Sequence, residues 1–140
     1  MNIFWLSVDF FQNAELYHDS HVVKIILEIT QCLFSCLHHR ESLTGDASWQ
    51  ICFDKVYKLA HKNHPVVLWL TEHPANFCAG LAQGLALCHE YTQRYSKIHK
   101  CQQHLQQMLN HVPVCPVQVH YKPECVRATL NIPPGCTPVP

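Results

Sequence analysis

From residue 19 to about residue 39 the apolar residues Val22, Ile25, Ile26, Ile29, Cys32, Leu33, Cys36 and Leu37 recur at helical spacing. Val23, Leu27 and Phe34 widen the stripe, so the pattern predicts a long and largely buried helix. Its polar residues His18, His21, Lys24, Glu28, Gln31, Ser35 and His38 step by three or four and therefore form one line along one face. Asp19 is expected to cap this helix, whose first turn presents backbone N–H groups that favour anions.

The other elements follow from punctuation. "NIFWLSV" is a short strand or a buried extended segment, and Asp9 caps a helix through "FFQNAELY". "RESLTGDASWQ" reads as a polar loop, and "CFDKVYKLAHKNHP" as a short helix or an extended turn ended by Pro65. Pro65 and Pro74 each suit the first turn of a helix, "PVVLWLTEH" and then "PANFCAGLAQGLALCHEYTQRYS". In the second of these, Ala79, Gly80, Ala82, Gly84 and Ala86 keep one side thin enough for close helix–helix approach. "CQQHLQQMLNHV" is one more helix, and seven of the nine prolines fall in a tail from Pro113, expected to be irregular. The fold class is therefore all-α: one domain over residues 1–140, with four to five helices in a core of about 1–112, a short extended N-terminus and a Pro-rich tail at 113–140.

Composition sharpens this picture. The chain has 140 residues, no net formal charge and a sequence pI near 7.2, so any phosphate-binding surface must be local rather than global. Only 14% of residues are charged, while histidine occurs 12 times, so mild acid makes the chain markedly cationic. No continuous apolar run approaches the roughly 20 residues of a membrane span, and no basic segment precedes the apolar N-terminal stretch. The nine cysteines are odd in number, and Cys32, Cys36, Cys78 and Cys88 fall inside apolar helical runs. They are expected to be unpaired, in a reducing, intracellular setting.

Four clusters carry candidate chemistry. His18, Asp19, His21 and Lys24 gather acid–base and anion-binding groups at one helix N-terminus, which suits a phosphate or a sugar, or else a solvated stripe with its cap. Glu28 follows Lys24 by four and is equally a helix ion pair or a functional group. "YKLAHKNHP" mixes rings and cations (His61 and His64 among them) and fits either a nucleic-acid grip or a polar connector. "EYTQRYSKIHK" adds Arg94, Lys97 and His99, cations that also complement a helix C-terminus. Cys101, His104, His111 and Cys115 have a spacing that superficially fits tetrahedral zinc. No Gly-rich phosphate loop, serine elbow or HExxH is present.

Three stretches, "MNIFWLSVDF…AELYHDSHVVKIILE", "YKLAHKNHPVVLWL" and "LALCHEYTQRYSKIHK", resemble a group of small phage and large-virus proteins over roughly residues 1–100. The order of elements is more distantly similar to the pyrimidine-dimer DNA glycosylase/AP lyase family. That resemblance implies an all-helical fold, DNA as partner, no cofactor, and repair of damaged pyrimidines by base excision with strand cleavage. It places His18 and Asp19 where the family has an Arg–Glu pair, so Asp19 would be the carboxylate beside the reacting sugar. The family's nucleophile is the chain's own α-amine, here that of Met1, less basic than a lysine. His21, Lys24, His61, His64, Arg94, Lys97 and His99 would contact phosphates, with His18–Lys24 and His61–His64 converging on one pocket. Two other readings stay open: a non-catalytic viral accessory protein that binds a nucleotide or nucleic acid in a His/Lys-rich pocket, and a zinc-stabilised interaction module.

Overall fold

The computed structural model describes residues 9–111. Asp9 opens the first helix, α1 (Phe10–Glu15), by accepting the Gln12 N–H at 3.0 Å, as the sequence predicts. The long helix α2 spans Asp19–Thr44, and its N-cap is His18 rather than Asp19. Asp19 is the first helical residue, where its charge still favours the positive end of the helix dipole. α2 also outruns its expected end near His39. Nothing in Arg40–Thr44 breaks a helix; the stop is Gly45 at φ 72°, a left-handed conformation that glycine adopts freely, with its N–H on the Glu41 carbonyl at 2.8 Å.

"RESLTGDASWQ" is thus only partly a loop, since its first five residues are helical and a 3-10 helix covers Ser48–Cys52. Residues 53–64 are irregular, which makes "CFDKVYKLAHKNHP" an extended turn. Helices α3 (Pro65–Glu72) and α4 (Pro74–Tyr95) both begin on the expected prolines. The histidine before each proline supplies the cap: His64 Nδ1 accepts the Val66 N–H at 3.1 Å, and His73 Nδ1 the Ala75 N–H at 3.0 Å. α5 covers Gln102–His111. The fold is all-α, with five α-helices and no strand among the described residues.

α2 and α4 run antiparallel through the core, since Gly80 faces Leu33, Gly84 faces Ile29 and Arg94 reaches Asp19. The thin side of α4 is used as anticipated. A β-carbon on Gly80 would lie 2.7 Å from Leu70, and one on Gly84 would lie 3.0 Å from Leu105 and 3.1 Å from Ile29. The bare backbone at these glycines lets the side-chain tips of Leu70, Ile29 and Leu105 pack directly on α4, and a methyl there would oblige them to shift. Phe34 anchors the other side of α2, with the rings of Trp49, Phe53, Tyr57 and His104 between 5.0 and 6.4 Å from its own.

Two expectations need correction here. By length and hydropathy α2 could cross a membrane, contrary to the reading of its apolar run; its polar line is too sparse to lower the average. In this fold 61% of its most apolar window is buried inside the protein. Secondly, Cys32, Cys36 and Cys88 are buried thiols, but Cys78 is disulfide-bonded, a crosslink that an apolar core accommodates as readily as a thiol. Burial pushes the Cys32 and Cys36 thiols up to about 12, so neither is a ready nucleophile. The "NIFWLSV" segment, Met1 and the tail at 113–140 lie outside the described residues.

Candidate nucleic-acid interface

The polar line on α2 is exposed at His21 and Lys24, half-buried at Glu28 and Gln31, and buried at Ser35. It deepens because the irregular segment 53–64 lies across its far half. Ser35 Oγ donates to the Ala60 carbonyl at 2.6 Å and accepts the Ala60 N–H at 3.0 Å, while His38 Nε2 donates to the Tyr57 carbonyl at 2.8 Å. The segment so held presents Lys58, His61 and Lys62 to solvent. His61 sits at φ 54°, a conformation disfavoured for any residue with a β-carbon, and its carbonyl accepts the His64 N–H at 2.8 Å to close the turn before α3.

The two His/Lys clusters therefore share a face without meeting in one pocket. Ser35 stands about four helical turns from His21, or roughly 20 Å at 1.5 Å per residue. The arrangement is a track with cations at both ends, where a single convergent site was expected. Helical spacing fixes which side a residue occupies but says nothing of where along that side a distant loop will land.

Arg94 leaves the proposed phosphate wall. Its Nε donates to Glu90 at 2.8 Å, Nη1 to Asp19 at 2.7 Å and the Tyr17 carbonyl at 2.9 Å, and Nη2 to the carbonyls of Glu15 at 3.1 Å and Ala14 at 3.5 Å. Every donor of the guanidinium is engaged within the protein. Burial works against its charge, but Glu90 and Asp19 outweigh this and hold its pKa above the ordinary value. His99 leaves as well. It is buried, its Nδ1 accepts the Cys101 N–H at 3.1 Å, and the Tyr91 ring stands edge-on at 5.0 Å. Of that trio only Lys97 is exposed. A polar residue near a helix end looks the same in sequence whether it faces solvent or a neighbouring helix.

Asp19 is poorly placed for chemistry. Its side chain is 73% exposed and is held by Arg94. His18 beside it is exposed, with Nδ1 3.0 Å from Ser20 Oγ. The carboxylate in the more demanding setting is Glu28. Its side chain is 14% exposed, Oε1 stands 3.6 Å from Lys24 Nζ, and Oε2 is buried with no hydrogen-bond partner. The signal for it in the sequence is a glutamate on the polar line set among Ile25, Leu27 and Ile29, whose own burial carries the side chain partly out of water.

The zinc reading finds no support in the described part of its set. Cys101 is buried with its Sγ 3.6 Å from the Tyr57 hydroxyl, and the His104 ring packs on Phe34 and Tyr57. The His111 side chain and Cys115 lie outside the described residues, among which no group of three or more His, Cys, Asp or Glu could hold a metal.

His99 and His104 make stability depend on pH. Burial is the main force lowering both pKa values below the usual 6.5, with the positive charge of Lys100 or Lys55 adding to it. The folded state therefore binds these protons less readily than the unfolded chain does. Their contribution is complete above about pH 6.5 and is lost as pH falls through the lowered values. The thermal midpoint should drop between pH 7.5 and 5.5, and His104→Gln should flatten that slope. An unchanged midpoint would mean that neither ring resists protonation. Compared with models of known families, with curated proteins and with solved structures, the chain matches none.

Proposed function

We propose that this protein is a DNA-repair glycosylase with associated lyase activity, acting on damaged pyrimidines along the α2 polar track. The observation that carries the reading is Glu28. A buried carboxylate oxygen without a partner costs on the order of 1–3 kcal/mol, and a carboxylate that keeps one on the polar face of α2 is a candidate for proton transfer. The resemblance to the pyrimidine-dimer family supplies the chemistry. An amine, that of Met1 by analogy, attacks C1′ of the sugar, the base departs, and the resulting imine permits β-elimination of the strand. In this scheme Glu28 takes the place first given to Asp19, accepting a proton and offsetting positive charge on the sugar.

The exposed Lys24, Lys58 and Lys62, with His18, His21 and His61, supply the phosphate contacts on either side. Three lysine contacts imply that log Kd changes with log salt by a slope of about 3. Lys58→Ala with Lys62→Ala should lower that slope by about 2 while leaving the thermal midpoint unchanged, as read by fluorescence anisotropy on duplex DNA. The catalytic claim is tested by borohydride trapping. Incubation with abasic-site duplex and borohydride should give a covalent protein–DNA adduct. DNA binding without any adduct, on abasic or dimer-containing DNA, would leave only the non-catalytic nucleic-acid binder.

A further inference from the structure

About a quarter turn round α2 from the polar track, Cys36, His39, Arg40 and Leu43 share another face. This face closes a cavity of about 350 Å³ against the end of α3 and the start of α4. The buried side chains of Cys36, Leu70 and Phe77 form its floor, and the exposed His39, Arg40 and His73 stand at its rim. The volume falls at the lower end of the roughly 300–1,000 Å³ typical of small-molecule sites. An apolar floor under a few convergent polar groups is the usual make-up of such a site.

The rim has one sign of charge. No carboxylate lines the cavity, and the Arg40 guanidinium makes no hydrogen bond and no close ion pair among the described residues, its charge being felt at longer range by the exposed Asp46 beyond the rim. The α4 terminus itself has little left to offer, since the Ala75 N–H is taken by the His73 ring and the Asn76 N–H by the His73 carbonyl at 2.9 Å. Anion recognition here falls to side chains, with Arg40 foremost. Covalent chemistry is not indicated, because the Cys36 thiol donates to the Leu70 carbonyl at 3.6 Å and stays protonated.

We propose that this cavity is a binding site for a small amphipathic anion, with an apolar body against Leu70, Phe77 and Leu43 and one carboxylate or phosphate held by Arg40. The site is separate from the α2 track and does not depend on the DNA-repair reading. Octanoate, 1-octanol and inorganic phosphate are the probes, each titrated into the isotope-labelled full chain and followed by amide chemical shifts. Octanoate should saturate, shift Leu70, Thr71 and Phe77, and bind at least tenfold more tightly than octanol; phosphate alone should leave these amides in place. Arg40 and Leu43 are exposed, so Arg40→Gln and Leu43→Glu should fold. Each should weaken octanoate at least tenfold. Equal affinity for octanoate and octanol, octanoate binding unchanged in Arg40→Gln, or no saturable binding of octanoate would each overturn the assignment.

Discussion

Glu28→Gln is expected to slow strand cleavage of abasic-site DNA by about 10²- to 10⁴-fold, the usual weight of a general acid–base group. Glutamine keeps the shape of the side chain and its contact with the neighbouring turn, but it neither takes a proton nor offsets positive charge on a sugar. Stability should hold or rise, because the variant removes a half-buried charge whose Oε2 has no partner and whose ion pair with Lys24 is 3.6 Å long and largely solvated at the lysine. DNA affinity should change little. Asp19→Asn is the matched control: its side chain is 73% exposed and its known partner is Arg94, so cleavage should stay near the wild-type rate. A cleavage-dead Asp19→Asn beside an active Glu28→Gln would return the catalytic role to Asp19. Full activity in both would remove carboxylate catalysis from α2.

The contrast between these carboxylates shows what the sequence made legible. Periodicity placed His21, Lys24, Glu28, Gln31, Ser35 and His38 on one face, and the structure keeps them there, because helical geometry is local and depends on nothing beyond the spacing. Prolines 65 and 74 marked helix starts for the same reason. Burial along that face was not legible, since it depends on where residues 53–64 fold back, and the bonds that decide this, Ser35 to Ala60 and His38 to Tyr57, join positions 25 and 19 residues apart. The end of α2 is not legible either, since "RESLT" is as polar as a loop and the stop is the left-handed Gly45. The histidine caps at His64 and His73 are not legible in sequence, because Ser, Thr, Asp and Asn are the residues that ordinarily cap a helix.

The role of Arg94 is hidden in the sequence for a related reason, and its removal gives the largest expected loss of stability. Arg94→Ala deprives the carbonyls of Ala14, Glu15 and Tyr17 of a charged donor and leaves the half-buried Glu90 without its 2.8 Å partner. Hydrogen bonds to charged groups contribute about 1.5–3 kcal/mol each where solvent is excluded, and the Arg94 side chain is 20% exposed, so a total near 3 kcal/mol is expected after discounting for screening. For a chain of this size that lowers the thermal midpoint by roughly 10 °C. Arg94→Lys should recover less than half, because an ammonium cannot span the end of α1, the start of α2 and Glu90 at once. Asp19→Ala should cost under about 1 kcal/mol, as its carboxylate is mostly in water. This ordering separates two roles for the same guanidinium. If Arg94 acts chiefly through the Asp19 ion pair, the two alanine variants will be equally destabilised and the double variant no worse than either. If it ties α1 and the turn after it to α4 through the carbonyls of Ala14, Glu15 and Tyr17, Arg94→Ala will fall well below Asp19→Ala, and amide exchange in α1 will quicken in the arginine variant alone.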